Sequence, residues 1–137
     1  MTWTPAQLCS DVQAVNQRFL EFTGRPLDAL WRAPSGKTSA AVIAAVKQCG
    51  YRHVGWAPAG FSGDELPSES HPNRVLLAKV LAGVRDGDII MAHMGIWSRR
   101  DPWAPTVLPA LIEGLQAKGF CFATLREHPD FAVAAGH

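Results

Sequence analysis

The stretch DGDIIMAH, residues 86–93, shows how the chain is organised. Its Asp-Gly-Asp start is typical of a turn, and its Ile-Ile-Met-Ala centre predicts a short strand that is apolar on both faces. Strands of this kind occur where helices cover both sides of a parallel sheet. His93 follows the strand directly, at the end where parallel α/β folds place their functional groups.

Outward from this stretch, helical and strand patterns alternate along the chain. The first helix begins after the N-cap Thr4 and Pro5, and it ends at Gly24. Three more helical patterns follow: one covers 39–48, one begins at Pro72 and one begins at Pro105. Before Pro72 we predict a loop of about fifteen residues at 57–71, a length at which loops are usually functional or mobile. Strands separated by crossover helices must be parallel. We therefore predict an α/β fold of parallel βα units, with one sheet formed by four segments: 29–32, 52–56, 88–92 and 120–124.

Composition limits the class of protein. The chain has 137 residues, of which 47% are hydrophobic and 18% charged, and its net charge is +1. These values fit one packed domain, which we place at residues 1–128, followed by a loosely ordered tail at 129–137. We expect no nucleic-acid or membrane partner, because there is neither a basic run nor a long apolar one. The N-terminus lacks the pattern of a signal peptide, so the expected location is cytoplasmic or unknown.

The three cysteines, Cys9, Cys49 and Cys121, lie far apart among apolar or helical neighbours. No CxxC motif and no zinc-type Cys/His spacing is present. The pattern favours three buried thiols that act as small hydrophobic side chains.

Strand ends supply the candidate functional residues. His93 is a candidate general acid or base, and Arg32 is a candidate for binding an anion or a carboxylate. The loop from His93 to Trp103 carries Trp97 as well as nearby arginines and Asp101. It could be a wall that stacks on sugar rings, although core packing of its tryptophans is an equal alternative.

A metal site is less well supported by the sequence. The pair Asp64-Glu65 could bind a metal, but such pairs are more often solvated turns. The histidines show no HxxxH spacing, so we predict no self-contained metal site.

Several motifs together resemble the polysaccharide deacetylase family, the NodB homology domain. The stretch WRAPSG, residues 31–36, is similar to the family's Arg-x-Pro-aromatic-Gly motif. It is followed in the family's order by GY at 50–51, VGW at 54–56, GDII at 87–90 and MAH at 91–93. The resemblance covers nearly the whole chain and maps onto the C-terminal half of the family domain. It implies a partial, distorted (β/α) barrel.

The resemblance also implies a chemistry, the hydrolysis of N- or O-acyl groups on sugars. In the family a divalent metal such as zinc activates water, an aspartate acts as base and a late histidine protonates the leaving amine. His93 matches that histidine, and Arg32 matches the arginine that braces the base. Met91 matches the apolar run that lines the acetyl pocket. We expect Arg32 and His93 to open onto one rim near Trp56.

The departures from the family concern the metal and the base. The Asp-pair motif has no counterpart, and Met1 and Pro5 occupy the two metal-binding histidine positions. Ser35 replaces the aromatic residue of the third motif, and 57–60 lacks the fourth motif's carboxylates. We therefore expect no metal bound by this chain, and a deacetylase portion that is truncated or inactive.

The sequence is also compatible with functions that need no hydrolysis. The chain could bind acetylated carbohydrate without hydrolysing it, through Trp56, Trp97 and Trp103. It could complete its barrel with a second copy, as a homodimer paired through an exposed sheet edge. A generic α/β interaction domain without a ligand is a further alternative.

Overall fold

The computed structural model describes residues 3–96, 99–104 and 106–132. Contacts divide the chain into two compact units, Met1–Gly55 and Trp56–His137, and each is described by itself. None of the helices in the described ranges has the length and hydropathy that crossing a lipid bilayer requires. The predicted boundary between a domain at 1–128 and a tail stays a prediction, and part of that tail, 133–137, lies outside the described residues.

The first unit begins with helix α1, Pro5–Thr23, whose ends are set by local sequence. Thr4 forms a capping box: its hydroxyl accepts from the Gln7 N–H, and the Gln7 side chain accepts from the Thr4 N–H. Gly24 ends the helix at φ 70°, a left-handed conformation that glycine adopts without steric cost. The predicted first helix is confirmed at both ends.

Two short parallel strands complete the first unit with helix α2, Ala40–Gln48. Strand β1, Leu30–Trp31, pairs with strand β2, Arg52–His53, in parallel register. Ser39 caps α2 through its side chain, which accepts from the Val42 N–H. The βαβ arrangement predicted for this part of the chain is confirmed, with strands shorter than the predicted segments.

A disulfide joins Cys9 in α1 to Cys49 at the end of α2. The prediction of three buried thiols is therefore wrong: two are oxidised and half-buried, and Cys121 is free and exposed. The sequence pattern misled because the partners are 40 residues apart and become neighbours only when the two helices meet. Disulfides of this kind are typical of oxidising compartments.

Removing this disulfide is expected to destabilise the first unit. Cys9→Ser opens a closed loop with a separation of 40 residues, so the free energy of unfolding should fall by about 2–4 kcal/mol. Urea titration under non-reducing conditions measures the change. Cys121→Ser, which alters an exposed free thiol, is the matched control and should leave the midpoint unchanged. Equal midpoints for the two variants would contradict the prediction.

The second unit packs helix α3, Asn73–Gly83, against helix α4, Leu108–Gln116. Helix α3 begins at Asn73, one residue after the predicted start at Pro72. Helix α4 begins at Leu108, three residues after the predicted start at Pro105, which lies outside the described residues. The helices share a core with the segment that precedes α4. The buried residues of this core are Leu76, Val80, Trp103, Ala104, Val107, Leu111 and Leu115.

The third predicted strand is reduced to one parallel bridge, between Met91 and Phe61. Around it the Ala57 N–H donates to the Ile89 carbonyl at 3.2 Å, and the Met91 N–H donates to the Gly60 carbonyl at 3.0 Å. The partner segment belongs to the region predicted as a loop, so pairing extends further along the chain than the apolar pattern indicated.

The fourth predicted strand, 120–124, forms no strand in the described structure. The Phe120 N–H donates back to the Leu115 carbonyl at the end of α4. The Thr124 N–H and hydroxyl both donate to the Glu127 carboxylate, which lowers the pKa of Glu127. These local bonds use backbone donors that a sheet would need, and residues 121–127 are exposed.

The parallel bridge requires glycine at position 60. A Cβ built on Gly60 would lie 2.0 Å from the Ile89 carbonyl oxygen, a backbone atom that cannot move aside alone. Gly60→Ala should lower the free energy of unfolding by about 2 kcal/mol or more. Gly95→Ala is the control, because nothing lies within 4 Å of a Cβ there. Thermal or urea unfolding that gives both variants the same loss would contradict this prediction.

Candidate functional site

His93 and Asp64 form the centre of the candidate site. Asp64 is fully buried, and its Oδ1 lies 3.0 Å from His93 Nδ1. Its second oxygen, Oδ2, accepts a hydrogen bond from the His93 backbone N–H. An ionised carboxylate only accepts hydrogen bonds, so Nδ1 carries the proton in this contact. Asp64 therefore holds both the ring and the backbone of His93.

The other ring nitrogen of His93, Nε2, is available for proton transfer or for binding a ligand. With the proton on Nδ1, the neutral ring offers a lone pair at Nε2, and the protonated ring offers an N–H there. Nε2 lies 3.6 Å from Glu65 Oε2, and the His93 side chain is 36% exposed. This nitrogen is therefore within reach of solvent and of a second carboxylate.

Asp64 reaches His93 because the loop between the bridge and α3 is ordered. Asp64 follows the Phe61–Met91 bridge by three residues, and its own N–H donates to the buried Ser62 hydroxyl. Gly63 takes φ 74°, which lets the chain turn between them. The predicted loop at 57–71 thus supplies a residue of the candidate site.

Arg99 binds the second half of this loop, residues 66–71, through its side chain. Its side chain is fully buried and donates to the carbonyls of Leu66 and His71. It also binds the Asn73 side chain at 2.8 Å and Asp101 Oδ1 at 3.0 Å. A buried guanidinium is tolerated only when its donors are satisfied in this way. The described hydrogen bonds of the Arg99 side chain therefore go to the protein itself.

The remaining predicted residues occupy different environments. Arg32 is exposed in the first unit, and a shared rim with His93 stays a prediction. Trp56 is half-buried, with its ring stacked on Phe61 at 6.5 Å between centroids. Met91 is 5% exposed and forms the bridge that precedes His93. Trp97 lies outside the described residues.

Trp103 belongs to the core. It is 2% exposed and packs in the cluster formed with α3 and α4. Among the described residues its buried Nε1 has no hydrogen-bond partner. The Trp103 ring is therefore packed in the core, which is one of the two alternatives that the sequence left open. It does not lie on an exposed surface that could stack on a sugar. A tryptophan of the core and a tryptophan of a sugar-binding surface look alike in sequence. Only the burial of the ring in the structure distinguishes them.

Sequence reasoning singled out His93 as a candidate but not the carboxylate that contacts its ring. Asp64 lies 29 residues from His93 along the chain, and the sequence favours a solvated turn over a metal ligand for the Asp64-Glu65 pair. The available signal was the glycine-flanked FSGDE, residues 61–65, which places a carboxylate just after a tight turn. The turn brings Asp64 inward, whereas Glu65, the other member of the pair, stays exposed.

Solved structures share this architecture. A mutant of a CE4-family pseudoenzyme with restored enzymatic activity aligns at TM-score 0.64 and 18% identity, over 86% of this chain and 39% of that chain. A family 4 carbohydrate esterase from Streptomyces lividans, in complex with acetate, aligns at TM-score 0.69 and 20% identity, over 96% of this chain and 62% of that chain. The fold of the chain is similar to that of CE4 carbohydrate esterases.

At these identities the similarity concerns the fold. The chain spans less than two thirds of the length of either structure. No protein-family profile matches the sequence. No curated protein matches it either. CE4 esterases have a (β/α)8-type barrel, so the CE4-like fold agrees with the α/β class predicted from the alternating pattern.

The Asp101 carboxylate gives the site loop a dependence on pH. The hydrogen bond from Ser68 is the largest cause that lowers the pKa of Asp101, and the Asn73 N–H and the Arg99 guanidinium act in the same direction. A lowered folded-state pKa means that the ionised carboxylate stabilises the fold above about pH 3.9, its unfolded value. That contribution is lost as the pH falls below this value.

Asp101→Asn should therefore destabilise the chain at neutral pH and have a smaller effect in acid. The free energies of unfolding of wild type and variant, measured in urea from pH 7 to about pH 3, should converge as the pH falls. A difference that stays constant over this range would show that the charge of Asp101 does not stabilise the loop.

Proposed function

We propose that the chain carries the proton-donating side of a carbohydrate deacetylase-type site, with His93 as the proton donor. Asp64 is the positioning residue that holds the ring. The proposal is carried by one observation, the buried Asp64 carboxylate that engages both Nδ1 and the backbone N–H of His93. The reaction class is hydrolysis of an N- or O-acyl group on a sugar.

The geometry supports proton transfer at Nε2. Cleavage of an acyl group from a sugar amine or hydroxyl leaves a basic atom that must take a proton as the bond breaks. An imidazole fixed at Nδ1 and open at Nε2 supplies this proton without reorienting its ring. Glu65 Oε2 lies 3.6 Å from the same nitrogen, so this carboxylate is part of the surroundings of Nε2.

The fold similarity supports the substrate class. One of the two similar structures is a carbohydrate esterase with bound acetate, and the other is a pseudoenzyme variant whose activity was restored. The CE4-like fold therefore occurs both with hydrolytic activity and in a protein described as a pseudoenzyme. The fold similarity is therefore compatible with either an active or an inactive site in this chain.

The described residues do not fit the metal that the resemblance implies. Pro5, which corresponds to one metal-binding histidine, has no ligand atom in its side chain and begins α1. The neighbouring Thr4 hydroxyl is engaged in the capping box with Gln7. Met1 lies outside the described residues. We derive no step through that metal, and we propose that the chain by itself binds acetylated sugar but releases little or no acyl group.

A non-catalytic carbohydrate-binding domain is the second candidate. It is favoured by Trp56, whose half-buried ring is stacked on Phe61. It has less support than the sequence indicated, because Trp103 is buried. A homodimer through the edge of the β1–β2 sheet is also part of the proposal, since edge strands pair with further strands.

The chain alone should show no deacetylase activity. Purified protein is incubated with zinc or cobalt and an acetylated chitooligosaccharide, and acetate is measured. We expect release at the level of the protein-free blank, because the metal-binding histidines and the base aspartate that activate water in the family have no counterpart in this sequence. Binding of the same oligosaccharide, followed by calorimetry, should survive a chelator and weaken in Trp56→Ala.

Two results would contradict the proposal. Metal-dependent acetate release that disappears in His93→Ala and persists in the control His71→Ala would show that the chain is catalytically complete. Absence of oligosaccharide binding in wild type would reject both the deacetylase-type and the carbohydrate-binding candidates and favour an interaction domain.

A further inference from the structure

We infer that Glu65 and His93 form a binding site for a divalent cation of the zinc type, with Asp64 as the supporting carboxylate. This site uses none of the positions at which the resemblance implies metal ligands, and the residues around Pro5 do not fit such ligands. It does not depend on the proposed function. Ligand atoms of Asp64, Glu65 and His93 all lie within 4.8 Å of one another.

The separation of the two outer ligand atoms fits a shared cation. His93 Nε2 and Glu65 Oε2 are 3.6 Å apart, which is too long for a hydrogen bond. Zinc binds nitrogen and carboxylate oxygen at about 2.0–2.2 Å, so tetrahedral ligands stand about 3.4 Å from each other. A cation placed between the two atoms therefore needs only a small adjustment, and solvent reaches both side chains to complete its coordination.

Asp64 supplies the support that metal-binding histidines use. Such a histidine usually donates its other ring N–H to a carboxylate, which fixes the tautomer and makes the free nitrogen a better ligand. His93 Nδ1 stands 3.0 Å from Asp64 Oδ1, and the side chain of Asp64 is completely buried. The lone pair of the neutral ring is then at Nε2, on the side of Glu65.

The charge of the cluster favours a cation. Two carboxylates flank a single imidazole, and within the described residues neither Asp64 nor Glu65 forms an ion pair with a lysine or arginine. A buried carboxylate that lacks such a partner is costly unless positive charge is nearby. A divalent cation on Nε2 provides that charge through the ring.

The cluster is also preorganised. Leu66, one residue after Glu65, is held by the Arg99 guanidinium, and the Phe61–Met91 bridge fixes the chain just before it. The loop therefore does not need to fold around the ion. The donor set of one imidazole and carboxylates selects zinc, cobalt or manganese over calcium.

Calorimetric titration of the chelator-treated full chain with zinc, without sugar, tests this site. Glu65→Gln removes a ligand from an exposed position and should weaken zinc binding at least tenfold. Glu69→Gln, the matched control, changes another exposed glutamate of the loop that contains Glu65, one that pairs with Arg100, and should change the affinity less than twofold. Asp64→Asn should weaken binding by about 10–100-fold, with circular dichroism confirming that each variant is folded.

Cobalt gives a second readout through its visible absorption, which should lose its imidazole-dependent band in His93→Ala. Equal zinc affinities for Glu65→Gln and Glu69→Gln would place the ion elsewhere and overturn the inference, as would no binding at millimolar zinc. Because no sugar is present, failure here leaves the sugar-binding and acetate measurements of the proposed function unaffected.

Discussion

The burial of the Arg99 guanidinium is the constraint that orders the second unit around its site. A guanidinium cannot leave water unless acceptors replace the lost hydration. Here the carbonyls of Leu66 and His71 replace it, together with Asn73 and Asp101. The loop conformation and the buried charge therefore require each other, and loss of either removes the support of the adjacent Asp64.

Local signals in the sequence predicted much of the fold. The Thr4 side chain caps α1 as predicted, Ser39 caps α2 at the predicted start of that helix, and Gly24 ends α1 in a left-handed conformation. Such contacts involve residues three or four apart, so they are visible in a short window of sequence. The parallel pairing of β1 with β2 followed from the crossover helix between them, which fixes the direction of the second strand.

Contacts between distant residues could not be predicted in the same way. The Asp64–His93 pair spans 29 residues and the Cys9–Cys49 disulfide spans 40. Whether a carboxylate is a solvated turn or a buried partner depends on which segment it meets after folding. The apolar pattern at 120–124 was ambiguous for the same reason, since a strand needs a neighbouring strand and Thr124 binds Glu127 instead.

The two proposals for the second unit make competing demands on one atom. Proton donation requires a hydrogen on His93 Nε2, whereas a cation requires the lone pair at that nitrogen, so the two states exclude each other. Asp64 serves both, because it fixes Nδ1 in either case. Glu65 separates them, since it is a ligand in one state and only a neighbouring charge in the other. Substitution of Glu65 therefore divides the two roles, whereas substitution of Asp64 or His93 removes both.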